Sequence, residues 1–327
     1  MNFKKKLLLL FFLFAYFIPC ITFAYSDKVI LGGNNIGITV NTKDILVVGF
    51  YKVDGKYIGR DAGIKIGDSI TKINGTKVNT IPQMIEIINN EMKNNSILIT
   101  VKRNNKELDL KLNLVEKEDT YKTGLYIKDQ ITGIGTLTYI DPETNIYGAL
   151  GHEIINSSNS KLVEISGGKI FKASITGNTK STITSTGEKN AIFDSNTTYG
   201  TIKENTTKGI YGKYSSRSNN EKLIEVANKN EIKLGKAYIY TVLKDNDIGK
   251  YEINIININK NSTTKNILFE ITDKTLIEKT NGVIKGMSGS PIVQNDKLIG
   301  AVTHAIVNDN TKGYGIFITT MLEEGEN

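Results

Sequence analysis

The run IEKTNGVIKGMSGSPIVQNDKLIGAVTHAI, residues 277–306, decides the reading of the C-terminal two-thirds of the chain. At its centre Ser288 and Ser290 are wrapped in glycines and closed by Pro291, one of only four prolines in 327 residues. Downstream, IGAVTHAI alternates apolar and small or polar residues and reads as a strand. GMSGSP is therefore either a tight turn between two strands or a turn that presents a nucleophile. Gly286 permits an unusual backbone there and Pro291 stiffens the exit. The N–H groups of Gly286 and Ser288 could then point into one concavity, as stabilisation of an oxyanion requires.

Working upstream, the pattern from Thr120 onward is almost entirely β. Short runs such as GIGTLTYI, KIFKASITG, KAYIYTVL and NILFEIT are separated by Gly, Asn, Asp and Ser, which predicts a barrel or sandwich. The one stretch there with helical character is LIEVANKNEI (223–232). The chain holds two histidines. His304 lies within the alternating strand, where a structural role is the ordinary expectation. His152 follows Gly151 in IYGALGHEI, where a strand gives out, and is better placed to face a cleft. A serine hydroxyl becomes nucleophilic only with a base beside it. His152 is the expected base for Ser288, with His304 as the alternative. Asp273 follows the strand NILFEIT and could orient the imidazole; Glu270 and Glu278 are competitors, and spacing alone does not choose among the three.

The N-terminal half has a different texture. Residues 29–53 are β-rich, and Gly63, Gly67 and Gly75 then punctuate short apolar runs. In IPQMIEIINNEM (81–92), Ile81, Met84, Ile85 and Ile88 form an i, i+3, i+4, i+7 stripe that predicts one amphipathic helix. NSILITVKRNNKELDLKLNLVE follows as two strands joined at Asn104-Asn105. Ahead of this unit, MNFKKK is followed by an uncharged stretch of 18 residues, Leu7 to Ala24. It serves either as a cleaved signal peptide or as a retained anchor, and either way the body of the chain crosses the membrane.

Composition narrows the function. A hydrophobic content of 39% with 23% charged residues fits ordinary packed cores, not disorder. The single cysteine, Cys20, lies in the leader, so the body has no disulfide, thiolate metal site or cysteine nucleophile. Three of the net +7 charges come from Lys4, Lys5 and Lys6, and the other lysines are scattered among acids. With no basic cluster interleaved with aromatics, nucleic acid is not an expected partner.

Three resemblances follow from these motifs. AGIKIGDSITKINGTKV resembles the signature of PDZ domains and assigns residues 35–115 to one. It implies binding of extended peptide ends at a sheet edge, with the carboxylate loop in GGNNIGI (32–38) and Ile36, Gly37 and Ile38 as peptide-binding residues. GMSGSP resembles the nucleophile turn of chymotrypsin-like proteases, with Ser288 as nucleophile and the order His, Asp, Ser matching that of their triad. Hydrophobic N-terminus, PDZ signature, YGALGHEI and the stretch from ITDKTLIEKT to FITTML together resemble the SpoIVB peptidases of endospore-forming bacteria. This resemblance carries the catalytic roles to His152, Asp273 and Ser288; Glu153 departs from the Gly that many relatives have there.

The resulting expectation is a mainly β protein with a small α+β domain. It has a signal or anchor (1–24), a PDZ domain (35–115) and a chymotrypsin-like double β-barrel serine peptidase domain (120–327), and needs no metal or organic cofactor. The resemblance implies export across the forespore membrane into the intermembrane space, initial membrane attachment and self-cleavage. It also implies cutting of an inhibitory subunit of an intramembrane metalloprotease complex, which triggers processing of pro-sigma-K. The competing expectation is a non-catalytic PDZ-containing scaffold of a sporulation membrane complex.

Overall fold

The computed structural model describes residues 25–91, 95–216, 221–306 and 308–326. The leader expected over 1–24, Cys20 included, lies outside the described residues. Among the described residues, no helix is long and apolar enough to cross a membrane.

The chain begins with β1 (Lys28–Leu31) and the 16-residue β2 (Asn35–Phe50), then a helical turn, α1 (Ile58–Asp61). Next come β3 (Ser69–Ile73), β4 (Thr76–Lys77), α2 (Ile81–Glu91), β5 (Ser96–Arg103), β6 (Lys106–Asn113), β7 (Val115–Lys117) and β8 (Thr120–Lys122). Asn74-Gly75 and Asn104-Asn105 both take positive φ (50°, 83°, 51° and 62°). That geometry matches the twist of the strands they join, so both hairpins close tightly. Met84 and Ile88 of α2 are buried with Ile45, Ile70, Ile73 and Ile99 in a core of their own. Ile85, expected in that stripe, is 52% exposed. Ile81 and Ile87 cover the core in part, so the buried face is centred one position away.

β9 (Leu125–Ile140) is as long as β2 and pairs with it antiparallel, from Phe50↔Leu125 to Asn35↔Thr136. It leads into β10 (Ile146–Ala149) and β11 (Ile165–Thr179). The latter takes the other edge of β2, with Ile36↔Lys172, Gly37↔Phe171 and Ile38↔Ile170. The small domain is thus entered along β2 and left along β9, while the outer ends of both strands belong to the larger sheet. The stretch 35–42, the first part of the expected PDZ span, also pairs with β9 and β11 in the larger sheet. This register corrects one sequence expectation. Ile36, Gly37 and Ile38 cannot add a peptide strand, because their backbone is bonded on both edges and both isoleucines are buried.

The remaining strands are β12 (Glu188–Ile202), β13 (Glu204–Thr206), β14 (Gly209–Lys213), β15 (Leu223–Val226), β16 (Gly235–Val242), β17 (Ile248–Ile258), β18 (Ile267–Ile271), β19 (Pro291–Gln294), β20 (Lys297–Ile306) and β21 (Asp309–Phe317). Helix α3 (Lys274–Thr280) precedes β19, and α4 (Ile318–Gly325) follows β21. The sheet closes on itself. Ile38, Val40, Leu137, Tyr147 and Ile170 pack in one core of the larger unit. Ile239, Ile253, Phe269, Ile292 and Phe317 pack in a second. The stretch read as helical, 223–232, instead opens with β15, which pairs β1 antiparallel and β20 in parallel. Open sheet edges on both sides outweigh a weak helical stripe.

Candidate active site

Two tight backbone features bring the chemistry together. After β10, Leu150 takes φ +68° and Gly151 +70°, and the Gly151 N–H donates to the Ala149 carbonyl at 2.8 Å. A non-glycine residue held at positive φ is strained, and such strain concentrates at functional sites. The turn ends the strand abruptly and projects His152 sideways. The second feature is the nucleophile turn, with Gly286 and Gly289 both at φ +92°. A Cβ at Gly289 would lie 2.0 Å from the Thr136 carbonyl oxygen, so no larger residue fits there.

The turn is pinned from both cores. Met287 is buried in the core of the C-terminal strands. On the opposite side, Thr136 and Thr138 of β9 donate their hydroxyls to the Gly286 and Gly289 carbonyls at 2.7 and 2.8 Å. The Thr136 N–H also donates to the Ser288 carbonyl at 2.9 Å. These threonines were not singled out in the sequence, where they sit in an ordinary alternating strand. Beneath the turn runs the side chain of Lys189, whose Nζ donates to Asn35 Oδ1 and Thr241 Oγ1, both at 2.8 Å. Burial without an acid pushes its ammonium down to about 7.

Ser288 Oγ lies 2.9 Å from His152 Nε2, although 136 residues separate them. It also lies 2.9 Å from the Thr303 carbonyl oxygen. The single hydroxyl proton therefore has two acceptors. His152 Nδ1 is 2.8 Å from the main-chain carbonyl of Glu153. A carbonyl can only accept, so Nδ1 carries the proton and Nε2 presents its lone pair to Ser288. Burial holds the His152 pKa below 6.5, partly offset by the Glu153 carbonyl and carboxylate and reinforced by Lys265. The imidazole is thus neutral at neutral pH, as a general base must be.

The other candidates fall away from this pair. Ser290 is fully buried, its hydroxyl 3.5 Å from Thr136 Oγ1. His304 sits beside His152, ring centroids 5.0 Å apart, and burial, His152 and Lys265 push its pKa down to about 4. Its Nδ1 is buried with no partner among the described residues, and Ser288 bonds to the other histidine. Asp273, expected to hold the imidazole, does something else. It is the N-cap of α3, with Oδ1 accepting from the Leu276 N–H at 2.9 Å. No hydrogen bond joins it to His152, whose Nδ1 is occupied by Glu153. Glu270 pairs with Lys312 across β18 and β21, and Glu278 lies on α3.

Gly286 and Ser288 both line a cleft of about 410 Å³ beside the pair, and their N–H groups have no acceptor among the described residues. No cluster of His, Cys, Asp or Glu suited to a metal occurs among the described residues.

A nucleophile turn joined by hydrogen bond to a distant histidine is the geometry of a serine peptidase, and sequence comparison agrees. The SpoIVB peptidase S55 family model matches residues 119–322. The chain belongs to the SpoIVB peptidase S55 family. A PDZ domain family model matches residues 35–114. A serine protease Do-like HtrA of Lactobacillus helveticus is 32% identical over 81 residues. That match spans 25% of this chain and 19% of the relative.

Proposed function

We propose that this SpoIVB-family chain hydrolyses peptide bonds with Ser288 as nucleophile and His152 as base, on a chymotrypsin-like pair of β-barrels. The 2.9 Å contact between Ser288 Oγ and His152 Nε2 carries the proposal. As Oγ attacks the peptide carbonyl, its proton passes to Nε2. The developing oxyanion is held by the N–H groups of Gly286 and Ser288. The imidazolium then gives its proton to the departing amine, and water repeats the sequence on the acyl-enzyme. The Glu153 carbonyl fixes the tautomer throughout. The expected role of Asp273 as third member of a triad is replaced in this mechanism by a main-chain acceptor.

A fluorophosphonate probe tests the assignment: wild-type mature protein should be labelled, and Ser288→Ala and His152→Ala should not. Equal labelling of His152→Ala and wild type would hand the base role to His304. Absence of labelling in the wild type would favour the non-catalytic scaffold.

The wider role follows the family. Delivered across the forespore membrane by residues 1–24 and first held at it, the enzyme trims itself. It then cuts an extracytoplasmic segment of a membrane inhibitor, so that an intramembrane metalloprotease processes pro-sigma-K. N-terminal sequencing of mature wild type beside Ser288→Ala tests self-trimming. The same N-terminus in both would assign the cut to another protease.

A further inference from the structure

The cleft beside Ser288 is markedly apolar. Its walls are Ile38 of β2, Ile131 and Ile134 of β9, and Leu150, Ile154 and Ile155 around His152. Its volume, about 410 Å³, is within the span of side-chain and small-ligand pockets. Glu153 and Lys285 are its charged lining residues. Leu150 and Ile38 are buried, so its floor is firm, whereas Ile155 is exposed at its edge.

Its place relative to the reacting atoms says which part of a substrate it faces. The Gly286 and Ser288 amides mark where the scissile carbonyl oxygen sits. The imidazole must face the departing nitrogen, because it delivers that proton. One wall of the cleft is the segment 152–155 itself, and the others come from the strands that support it. Across Ser288 lies β20, with the Thr303 carbonyl on Oγ and His304 against His152, and neither residue lines the cleft. With the acyl half of a substrate laid along β20, the cleft would open on the side of the leaving amine.

Resting on the reading of Ser288 and His152 as nucleophile and base, we propose that this cleft is a leaving-side specificity subsite. It selects substrates with a bulky aliphatic or aromatic side chain just C-terminal to the cut. An apolar side chain there trades water for isoleucine and leucine surface. A carboxylate would lose its hydration against the same walls.

Acyl transfer isolates this side of the site. A small activated ester acylates Ser288: the Oγ–acyl bond forms, the alcohol departs, and the proton taken by His152 goes to that alcohol. Leucinamide, phenylalaninamide, glycinamide and aspartic acid amide then compete with water. In each transfer an amide C–N bond forms, the Ser288 ester breaks, and the amine proton returns through His152 to Oγ. The expected result is that leucinamide and phenylalaninamide capture the acyl group at least about tenfold better than glycinamide, with aspartic acid amide poorest. Gly133→Val adds bulk to the lining where an added Cβ meets nothing within 4 Å. Ile134→Asp puts a charge into the wall. Either should cut the leucinamide advantage by about tenfold, with each variant's fluorophosphonate labelling rate normalising for nucleophile competence. Equal capture of all four amides by the wild type, or a preference untouched in both variants, overturns the subsite while leaving the nucleophile assignment standing. If neither the ester nor the fluorophosphonate acylates Ser288, the peptidase reading falls and the subsite with it.

Discussion

Ser288 and Ser290 stand two positions apart in near-identical sequence surroundings, yet only one can react. The first touches an imidazole in an open cleft; the second is sealed against Thr136. Ser288→Ala should abolish peptide cleavage, and Ser290→Ala should retain most of it, read as kcat/KM on a quenched peptide. The base sets the pH response. Because burial lowers the His152 pKa from 6.5, the imidazole stays neutral as pH falls through 6.5. Activity should therefore persist there and decline only at more acid pH, as Nε2 gains its proton. The acid limb of kcat/KM against pH checks this, since it reports the free enzyme's base. A limb centred at or above 6.5 would contradict the buried neutral state.

At the scale of elements, the site depends on contacts made behind the cleft, away from substrate. β9 holds the nucleophile turn through the Thr136 hydroxyl on the Gly286 carbonyl. Thr136→Val keeps the shape but leaves that buried carbonyl unpaired, at a cost of about 1–3 kcal/mol in stability. kcat/KM should fall as well, since Gly286 is a proposed oxyanion donor; denaturant unfolding and kinetics on one preparation check both. Helix α3 makes the complementary case. Asn caps a helix about as well as Asp, whereas Ala costs about 0.5–2 kcal/mol. Asp273→Asn should thus remain stable and active within about tenfold, against a loss of about 10⁴-fold for a triad aspartate. Asp273→Ala should lower the unfolding midpoint. A collapse of activity in a well-folded Asp273→Asn protein would restore the triad.

At the scale of the whole molecule, the small domain is an insertion carried by two shared strands. Deleting 35–115 removes β-ladder from the peptidase core and should abolish folding and Ser288 labelling. Closing the ladder at the pair Asn41↔Gln130 with an Asn-Gly turn should preserve both. Circular dichroism and fluorophosphonate labelling of the two deletions decide the matter. Lys189 ties global stability to pH. Its folded pKa is about 7 and its ordinary value 10.5, so between these limits the unfolded chain binds more protons. Stability should consequently rise with pH from 7 toward 9.5. Lys189→Met should flatten that slope in denaturant titrations at the two pH values.

The two-part organisation, the strand character of the C-terminal half, the nucleophile turn and the histidine at a strand's end were legible in the sequence. Periodicity and turn chemistry are local, and Asn74-Gly75, Gly286 and Gly151 announce their backbone without help from distant residues. Tertiary structure alone showed Ser290 sealed away from the cleft, the Glu153 carbonyl on His152 Nδ1, and Asp273 capping a helix. It alone also showed that the backbone of Ile36, Gly37 and Ile38 is bonded on both edges in a sheet, and that isoleucines from β2 and β9 wall the cleft beside Ser288. Those outcomes depend on the register of strands more than a hundred residues apart, and a one-residue slip in register turns every side chain to the opposite face.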